Sequence, residues 1–240
     1  MNFLITGGAS GLGSAITKLI AQNHPSSVVY FTYHASVEKA KAIEARFSNT
    51  KAIHCDFTNT VDVNNLCDLI SNEEIGVLVN NAVTRIDKNH FHKTPSSVFT
   101  EGFLTDIVST LEITKSFIFK ARKNKQGRII TILSAALLNT PPAGWSGYVA
   151  NKAYLLSMHK SWATENKAFN ITSNCISPDF MATSLNNEVD ERIVENMITN
   201  HPLKRLLTIE EVADTVLFLC NATPHLNGQN IVLNAAQSLL

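Results

Sequence analysis

The chain has 240 residues and a mass of 26.3 kDa, with 45% hydrophobic and only 17% charged residues, a composition that can bury a sizeable core and excludes disorder as the dominant state. Twenty Lys and Arg balance twenty Asp and Glu, which argues against a strongly basic nucleic-acid binder or a polybasic membrane binder. Cys55, Cys67, Cys175 and Cys220 form no CxxC pair and no zinc spacing, so no metal is expected and the thiols read as apolar fillers in a reducing, cytoplasmic setting.

Residues 2–6 predict a strand and 12–23 a helix. The opening residues carry neither a basic region nor a long apolar run, so no signal peptide is expected. Next come a strand at 28–33, a helix at 37–47, a strand at 51–55, a helix at 61–71 and a strand at 77–80. A long helical region follows from about 96 to 123, then a strand at 128–133, a helix at 148–165 and a strand at 171–176. A helix at 210–219 and a strand at 230–233 complete the pattern. The most apolar stretch, 129–138, is too short to cross a bilayer. Strands alternating with helices predict an α/β fold, one doubly wound domain over 1–240 whose seven-stranded parallel sheet is covered on both faces. Residues 182–206 break the rhythm with a polar helix at about 188–200. They fall beyond a strand's carboxyl end, where ligands bind in such sheets, and are expected to form a substrate lid.

The first strand runs straight into Thr6-Gly7-Gly8-Ala9-Ser10-Gly11-Leu12-Gly13. A tight strand-to-helix turn needs glycine for positive φ and close backbone approach, and the helix start that follows offers free N–H groups to a pyrophosphate. The spacing Gly-x3-Gly-x-Gly is not the common GxGxxG. It resembles the short-chain dehydrogenase/reductase family, and further motifs follow in that family's order. Asp56-Phe57 stands after the third strand, Asn80-Asn81-Ala82 after the fourth, Ser134 at the end of the fifth, Tyr148-x3-Lys152 on the next helix, Ser177-Pro178 after the sixth, then Thr183.

The resemblance implies a Rossmann-type fold, a nicotinamide cofactor and usually a homo-oligomer, a tetramer or dimer. It implies that Gly7, Ser10, Gly11, Leu12, Gly13, Tyr33, His34, Ser36, Asp56, Phe57, Asn81, Ala82, Pro178 and Thr183 meet the cofactor, together with Tyr148 and Lys152. Ser134, Tyr148 and Lys152 are then the catalytic groups. Lys152 is four residues from Tyr148 on one helix face, and its ammonium is expected to lower the phenol's pKa. Tyr148 would act as general acid/base, Ser134 would orient the carbonyl, and Lys152 would also hold the nicotinamide ribose.

Four departures stand out. Asp106 falls where the family carries an active-site asparagine, unless it is an ordinary solvated helix residue. Val83 replaces the glycine of Asn-Asn-Ala-Gly, Asp179 that of Pro-Gly, and Ala235-Ala236 a Gly-Gly pair.

The second strand ends without the carboxylate that would accept from a ribose 2′-hydroxyl, and His34 and Ser36 stand there instead, so NADP(H) is expected over NAD(H). Leu137, Leu138, Pro141, Pro142 and Trp145 lie between Ser134 and Tyr148, with Phe180 and Met181 nearby. They either line an apolar substrate pocket or simply pack the loop. A hydrophobic ketone or 3-oxoacyl compound is the expected substrate, small or carrier-bound, since the whole chain is similar to the 3-oxoacyl-(acyl-carrier-protein) reductases. The basic run Lys120, Arg122, Lys123, Lys125 and Arg128 suits an acidic carrier or a solvated helix end. The alternative to an oxidoreductase is a cofactor-binding sensor or scaffold with little catalysis, which the departures favour.

Overall fold

The computed structural model describes residues 1–83, 88–138, 140–183 and 189–237. Seven strands form one sheet, paired in parallel throughout, in the order β3-β2-β1-β4-β5-β6-β7. They are β1 (Asn2–Ile5), β2 (Val29–Tyr33), β3 (Thr50–His54), β4 (Ile75–Asn80), β5 (Gly127–Ile132), β6 (Ile171–Pro178) and β7 (Asn230–Leu233). The helices are α1 (Gly11–Asn23), α2 (Val37–Arg46), α3 (Thr60–Asn72), α4 (Ser96–Gly102), α5 (Ser109–Asn124), α6 (Ser146–Asn166), α7 (Glu191–Asn200) and α8 (Ile209–Asn221).

The central strands are apolar on both sides because both sides are covered. Phe3, Ile5, Phe31 and Val79 pack under α1, α2 and α8, while Leu4, Leu78, Ile129 and Cys175 pack under α3, α5 and α6. Each fully buried Phe or Ile contributes about 1.5–3 kcal/mol. The strand order reverses between β1 and β4, so their carboxyl ends diverge and open a crevice, the general ligand position in such sheets.

Two boundaries differ from the sequence reading in ways that bear on the crevice. The expected helical region 96–123 is continuous but not uniform: α4 ends at Gly102, a wide π-helical turn spans Phe103–Val108, and α5 starts at Ser109. Glycine is a poor helix former, and the Gly102 carbonyl accepts from Asn151 Nδ2 of α6 at 3.2 Å. Such widened turns recur at functional sites, and this one carries Asp106. The polar helix expected at about 188–200 begins at Glu191, where Asp190 caps it by accepting from Arg192 N. Residues 184–188 of the expected lid lie outside the described residues.

No described helix is long and apolar enough to cross a membrane, and the described residues hold no His/Cys/Asp/Glu cluster suited to a metal. The four cysteines are free thiols, three of them buried.

Candidate active site

A cleft of about 1170 Å³ runs along the carboxyl ends of the strands. That exceeds the usual 300–1,000 Å³ of a small-molecule site and leaves room for two ligands side by side. Its floor is cross-tied. Thr6 Oγ1 accepts from the Asn81 and Ala82 amides at 2.9 and 3.0 Å and donates to Val79 O, and Asn81 Nδ2 donates back to Thr6 O at 2.9 Å. On the other side, Gly7 N donates to Thr32 Oγ1 and Gly8 N to Thr32 O, both at 2.8 Å. The ends of β1, β2 and β4 are thereby fixed against one another.

The glycines of the turn are required by this closeness. Gly7 and Gly11 take positive φ, +65° and +49°. A Cβ on Gly13 would stand 2.1 Å from Gly7 O, and one on Gly8 2.6 Å from Phe31 Cβ. Gly8, left as a variable position in the sequence pattern, is therefore as constrained as its neighbours. Ser10 starts α1 without a side-chain cap bond. The first-turn N–H groups are thus left for a ligand, and their dipole end favours an anion. A cradle that excludes a side chain above an uncapped helix start fits the pyrophosphate of a dinucleotide.

Of the residues expected at the site, Gly7, Ser10, Gly11, Leu12, Gly13, Tyr33, His34, Ser36, Asp56, Phe57, Asn81, Ala82, Pro178 and Thr183 all line this one cleft, as do Ser134, Trp145, Tyr148, Lys152 and Phe180. Leu137 does not. Leu137 ends the 3-10 turn Ala135–Leu137 and packs, partly buried, against the core under α3, α5 and α6, and of the apolar loop residues expected with it, Leu138, Pro141, Pro142 and Trp145, the last two reach the cleft. Asp106 is also absent from the lining and acts through its charge.

The reactive groups lie where β5 meets α6. Ser134 follows β5 and caps the 3-10 turn, accepting from Ala136 N at 3.2 Å, and its hydroxyl hydrogen-bonds the Tyr148 phenol. Lys152, one turn along α6, is buried and donates from Nζ to Ile132 O at 2.7 Å. The expected lowering of the Tyr148 pKa is not found. Burial pushes the phenol up to about 12, against the Ser134 hydrogen bond and with a contribution from the Asp106 carboxylate. Burial brings the Lys152 ammonium down to about 8, opposed by Asp106 and the Cys175 thiol. The physical reason is desolvation of both groups, with the ammonium turned to a carbonyl and 5.7 Å from the phenol ring centre.

At the far end of the cleft, His34 Nε2 lies 3.5 Å from Asp56 Oδ2. Hydrogen bonds from the Thr58 amide and hydroxyl hold the Asp56 carboxyl below its ordinary pKa.

A family model described as enoyl-(acyl carrier protein) reductase matches residues 7–235. The chain belongs to the short-chain dehydrogenase/reductase family. It is an oxidoreductase of that family, whose members use a nicotinamide cofactor. It is 30% identical over 235 residues to the 3-oxoacyl-(acyl-carrier-protein) reductase FabG of Buchnera aphidicola subsp. Baizongia pistaciae (strain Bp), covering 96% of this chain and 94% of the relative. It is 26% identical over 244 residues to nodulation protein G of Rhizobium sp. (strain N33), covering 99% and 96%. The fold matches the crystal structure of YwfH, an NADPH dependent reductase involved in bacilysin biosynthesis, with a TM-score of 0.87 at 22% identity over 99% of both chains.

Within the short-chain dehydrogenase/reductase pattern, two of the departures meet in space. The Asp179 amide donates to Leu233 O at 3.0 Å. Its carboxylate accepts from Gln237 Nε2 and lies 3.8 Å from Nε2 of the buried His201, which follows α7. Ala235 and Ala236, between these contacts, take left-handed φ of +49° and +58°, a conformation that costs an L-residue about 1–2 kcal/mol.

Sequence reasoning missed Thr32, Lys88, Ile193 and Met197, all in the cleft wall. Ile193 and Met197, four apart on a polar helix, had a legible signal in that spacing. Thr32 and Lys88 had none.

Proposed function

We propose that this protein reduces a carbonyl compound to an alcohol with NADP(H), Tyr148 being the proton donor. The observation that carries the reading is the convergence of Ser134, Tyr148 and Lys152 in the cleft that also contains the glycine turn. With a phenol near 12, Tyr148 is fully protonated at neutral pH, which is the state that reduction needs at the start. Ser134 and the phenol O–H together hold the carbonyl oxygen and polarise it. As negative charge grows on that oxygen, Tyr148 gives up its proton. The phenolate left behind is unfavourable in a buried site, and the nearby Lys152 ammonium offsets it. Asp106 favours the charged form of Lys152, so its carboxylate supports that ammonium. The bound cofactor supplies the hydride, which no side chain can provide. The first turn of α1 would hold its pyrophosphate and Lys152 its nicotinamide ribose.

The preference for NADP(H) rests on the adenosine end. The residues that follow β2 there, Tyr33, His34, Ala35 and Ser36, include no carboxylate, and the one carboxylate beside them, Asp56 after β3, lies against His34. Lys18, Lys39 and Arg46, with Glu210, line a second depression that shares Ser10 with the cleft, and the excess of positive charge there supports a 2′-phosphate nearby. The substrate end combines Trp145, Phe180, Met181, Ile193 and Met197, which suits an apolar body next to the carbonyl. The basic run before β5 supports carrier docking less well. Lys120 pairs with Glu74 at 2.9 Å, Arg122 holds Asn166 and Glu165, and Arg128 donates to Ala222 O at 2.7 Å.

Fluorescence titration with NADPH and NADH, followed by cofactor oxidation over ketones and 3-oxoacyl thioesters, tests the reading. Tighter NADPH binding with turnover on apolar ketones is expected. Tighter NADH binding would overturn the cofactor assignment, and binding without any turnover would replace catalysis by a binding or regulatory role.

A further inference from the structure

Three segments wall the substrate end of the cleft: residues 178–181 after β6, α7 with Ile193 and Met197, and the loop that carries Trp145. None of the residues of α7 is buried, so core packing does not fix its distance from the other walls. Its carboxyl end is better defined. The His201 amide donates to Met197 O at 2.9 Å and to Ile198 O at 3.2 Å, and the residue is buried. Leu203 N donates to His201 Nδ1 at 3.0 Å. In the neutral ring the proton therefore sits on Nε2, the nitrogen that lies 3.8 Å from Asp179 Oδ2. The same Oδ2 accepts from Gln237 Nε2. Gln237 is brought there by the left-handed Ala235 and Ala236, which turn the chain after β7, and its own amide donates to Asn234 O at 3.0 Å. One carboxylate oxygen thus meets the end of α7 and the turn after β7, from a residue of the cleft lining.

We propose that Asp179 is a positioning residue: through His201, and braced by Gln237, it sets α7 against the wall formed by Phe180 and Met181 and so fixes the width of the substrate end. This rests on the carbonyl-reduction reading above. A glycine at this position has no side chain with which to make the tie, so the Asp179 and Ala235-Ala236 departures act together. At 3.8 Å the His201 contact is longer than a hydrogen bond. The ring is buried, however, and solvent screens such a contact only weakly, so the carboxylate attracts the proton on Nε2. A wall held in place before the substrate arrives lowers the ordering cost of binding. The tie therefore acts on KM rather than on the proton transfer from Tyr148.

The test measures KM for two ketones, a long-chain one that reaches α7 and butanone, which is too short to do so. Asp179→Ala and His201→Asn are each expected to raise KM for the long ketone by about tenfold, with kcat, KM for butanone, NADPH Kd and Tm close to wild type. The asparagine oxygen stands in for Nδ1 and keeps the Leu203 hydrogen bond, so His201→Asn removes only the contact with Asp179. Asp179→Asn, whose amide oxygen still accepts from both donors, should stay near the wild-type KM. Met197→Ala supplies the readout that a merely structural role would not move. If Asp179 acts through α7, the effect of Met197→Ala on KM should largely vanish in the Asp179→Ala background, whereas independent residues would multiply their effects. Multiplying effects, an equal rise in KM for butanone, or an unchanged KM in both single variants overturns the proposal and leaves carbonyl reduction intact. Loss of Tm and NADPH binding in both variants also overturns it, because the tie would then support the fold as a whole. Absence of wild-type turnover on both ketones and on 3-oxoacyl thioesters overturns carbonyl reduction itself, and this proposal with it.

Discussion

At the glycine-turn end of the cleft the walls are strand ends and a helix start, tied to one another by Thr6, Thr32 and Asn81. At the substrate end they are loops and α7, where Ile193 is 51% and Met197 36% exposed. The first end has no slack for a side chain at Gly13, while the second presents unburied apolar groups to the cleft. The contrast shows which part of the chemistry is fixed by the fold and which part is left to adjustable packing. Binding a dinucleotide needs backbone placed to a few tenths of an ångström. Choosing a substrate needs only apolar surface of a given shape and a few placed polar groups.

Gly13→Ala tests the rigid end most severely. The methyl group would press into Gly7 O at 2.1 Å, and overpacking against backbone costs about 3 kcal/mol or more. The expected result is a Tm lower by about 10 °C and loss of cofactor quenching. A variant with normal Tm and normal NADPH Kd would show that the turn is not as closed as described.

Lys152→Met probes the seam between the two ends. Without the ammonium that offsets the phenolate, kcat should fall by about 100-fold or more. The same variant has a stability signature. Lys152 binds its proton less well folded, near 8, than unfolded, near 10.5. Between those values the unfolded chain holds more protons, so folded stability rises with pH. Burial of the charge therefore costs about 3 kcal/mol below pH 8, relieved as pH climbs toward 10.5. Urea midpoints measured from pH 7 to 10 should show the wild type gaining on Lys152→Met across that window, and parallel curves would contradict the account.

Sequence patterning was sufficient for the fold because buried parallel strands and amphipathic helices advertise themselves in apolar spacing. All seven strands were legible, and so were the glycine turn and Tyr148-x3-Lys152, since short-range backbone chemistry demands those residues at those spacings. What the pattern could not carry were effects set by distant neighbours. Desolvation of Tyr148 and Lys152 depends on everything packed around them, which is why the phenol is pushed up rather than down. Leu137 reads like any loop leucine until a 3-10 turn packs it against the core. Thr32 has no local signal, its place in the cleft wall being set by the Gly7 and Gly8 amides it accepts from across the turn.

At the substrate end the expected effects are smaller and more selective. Met197→Ala removes an exposed apolar group from the wall, so it should raise KM for an apolar ketone by about tenfold, roughly the transfer energy of the lost side chain. It should leave the NADPH Kd and Tm nearly unchanged, and an equal loss in cofactor binding would erase the division between the ends. Smaller still, Ala235→Gly and Ala236→Gly relieve left-handed strain and should each stabilise by about 0.5–1 kcal/mol after glycine's entropic cost. Thermal melts would register that as about 2–4 °C per kcal/mol, and no gain would show that the alanines relax at no cost.

The most direct test of the central claim is a single-turnover experiment. Wild type and Tyr148→Phe are each preloaded with NADPH and mixed with a ketone that the wild type reduces, and loss of the reduced nicotinamide absorbance is followed. The account predicts equal cofactor affinity and a hydride-transfer step slower in the variant by about 100-fold or more, the ordinary contribution of a positioned general acid. Equal rates in the two proteins would contradict it, because the proton would then come from somewhere other than Tyr148.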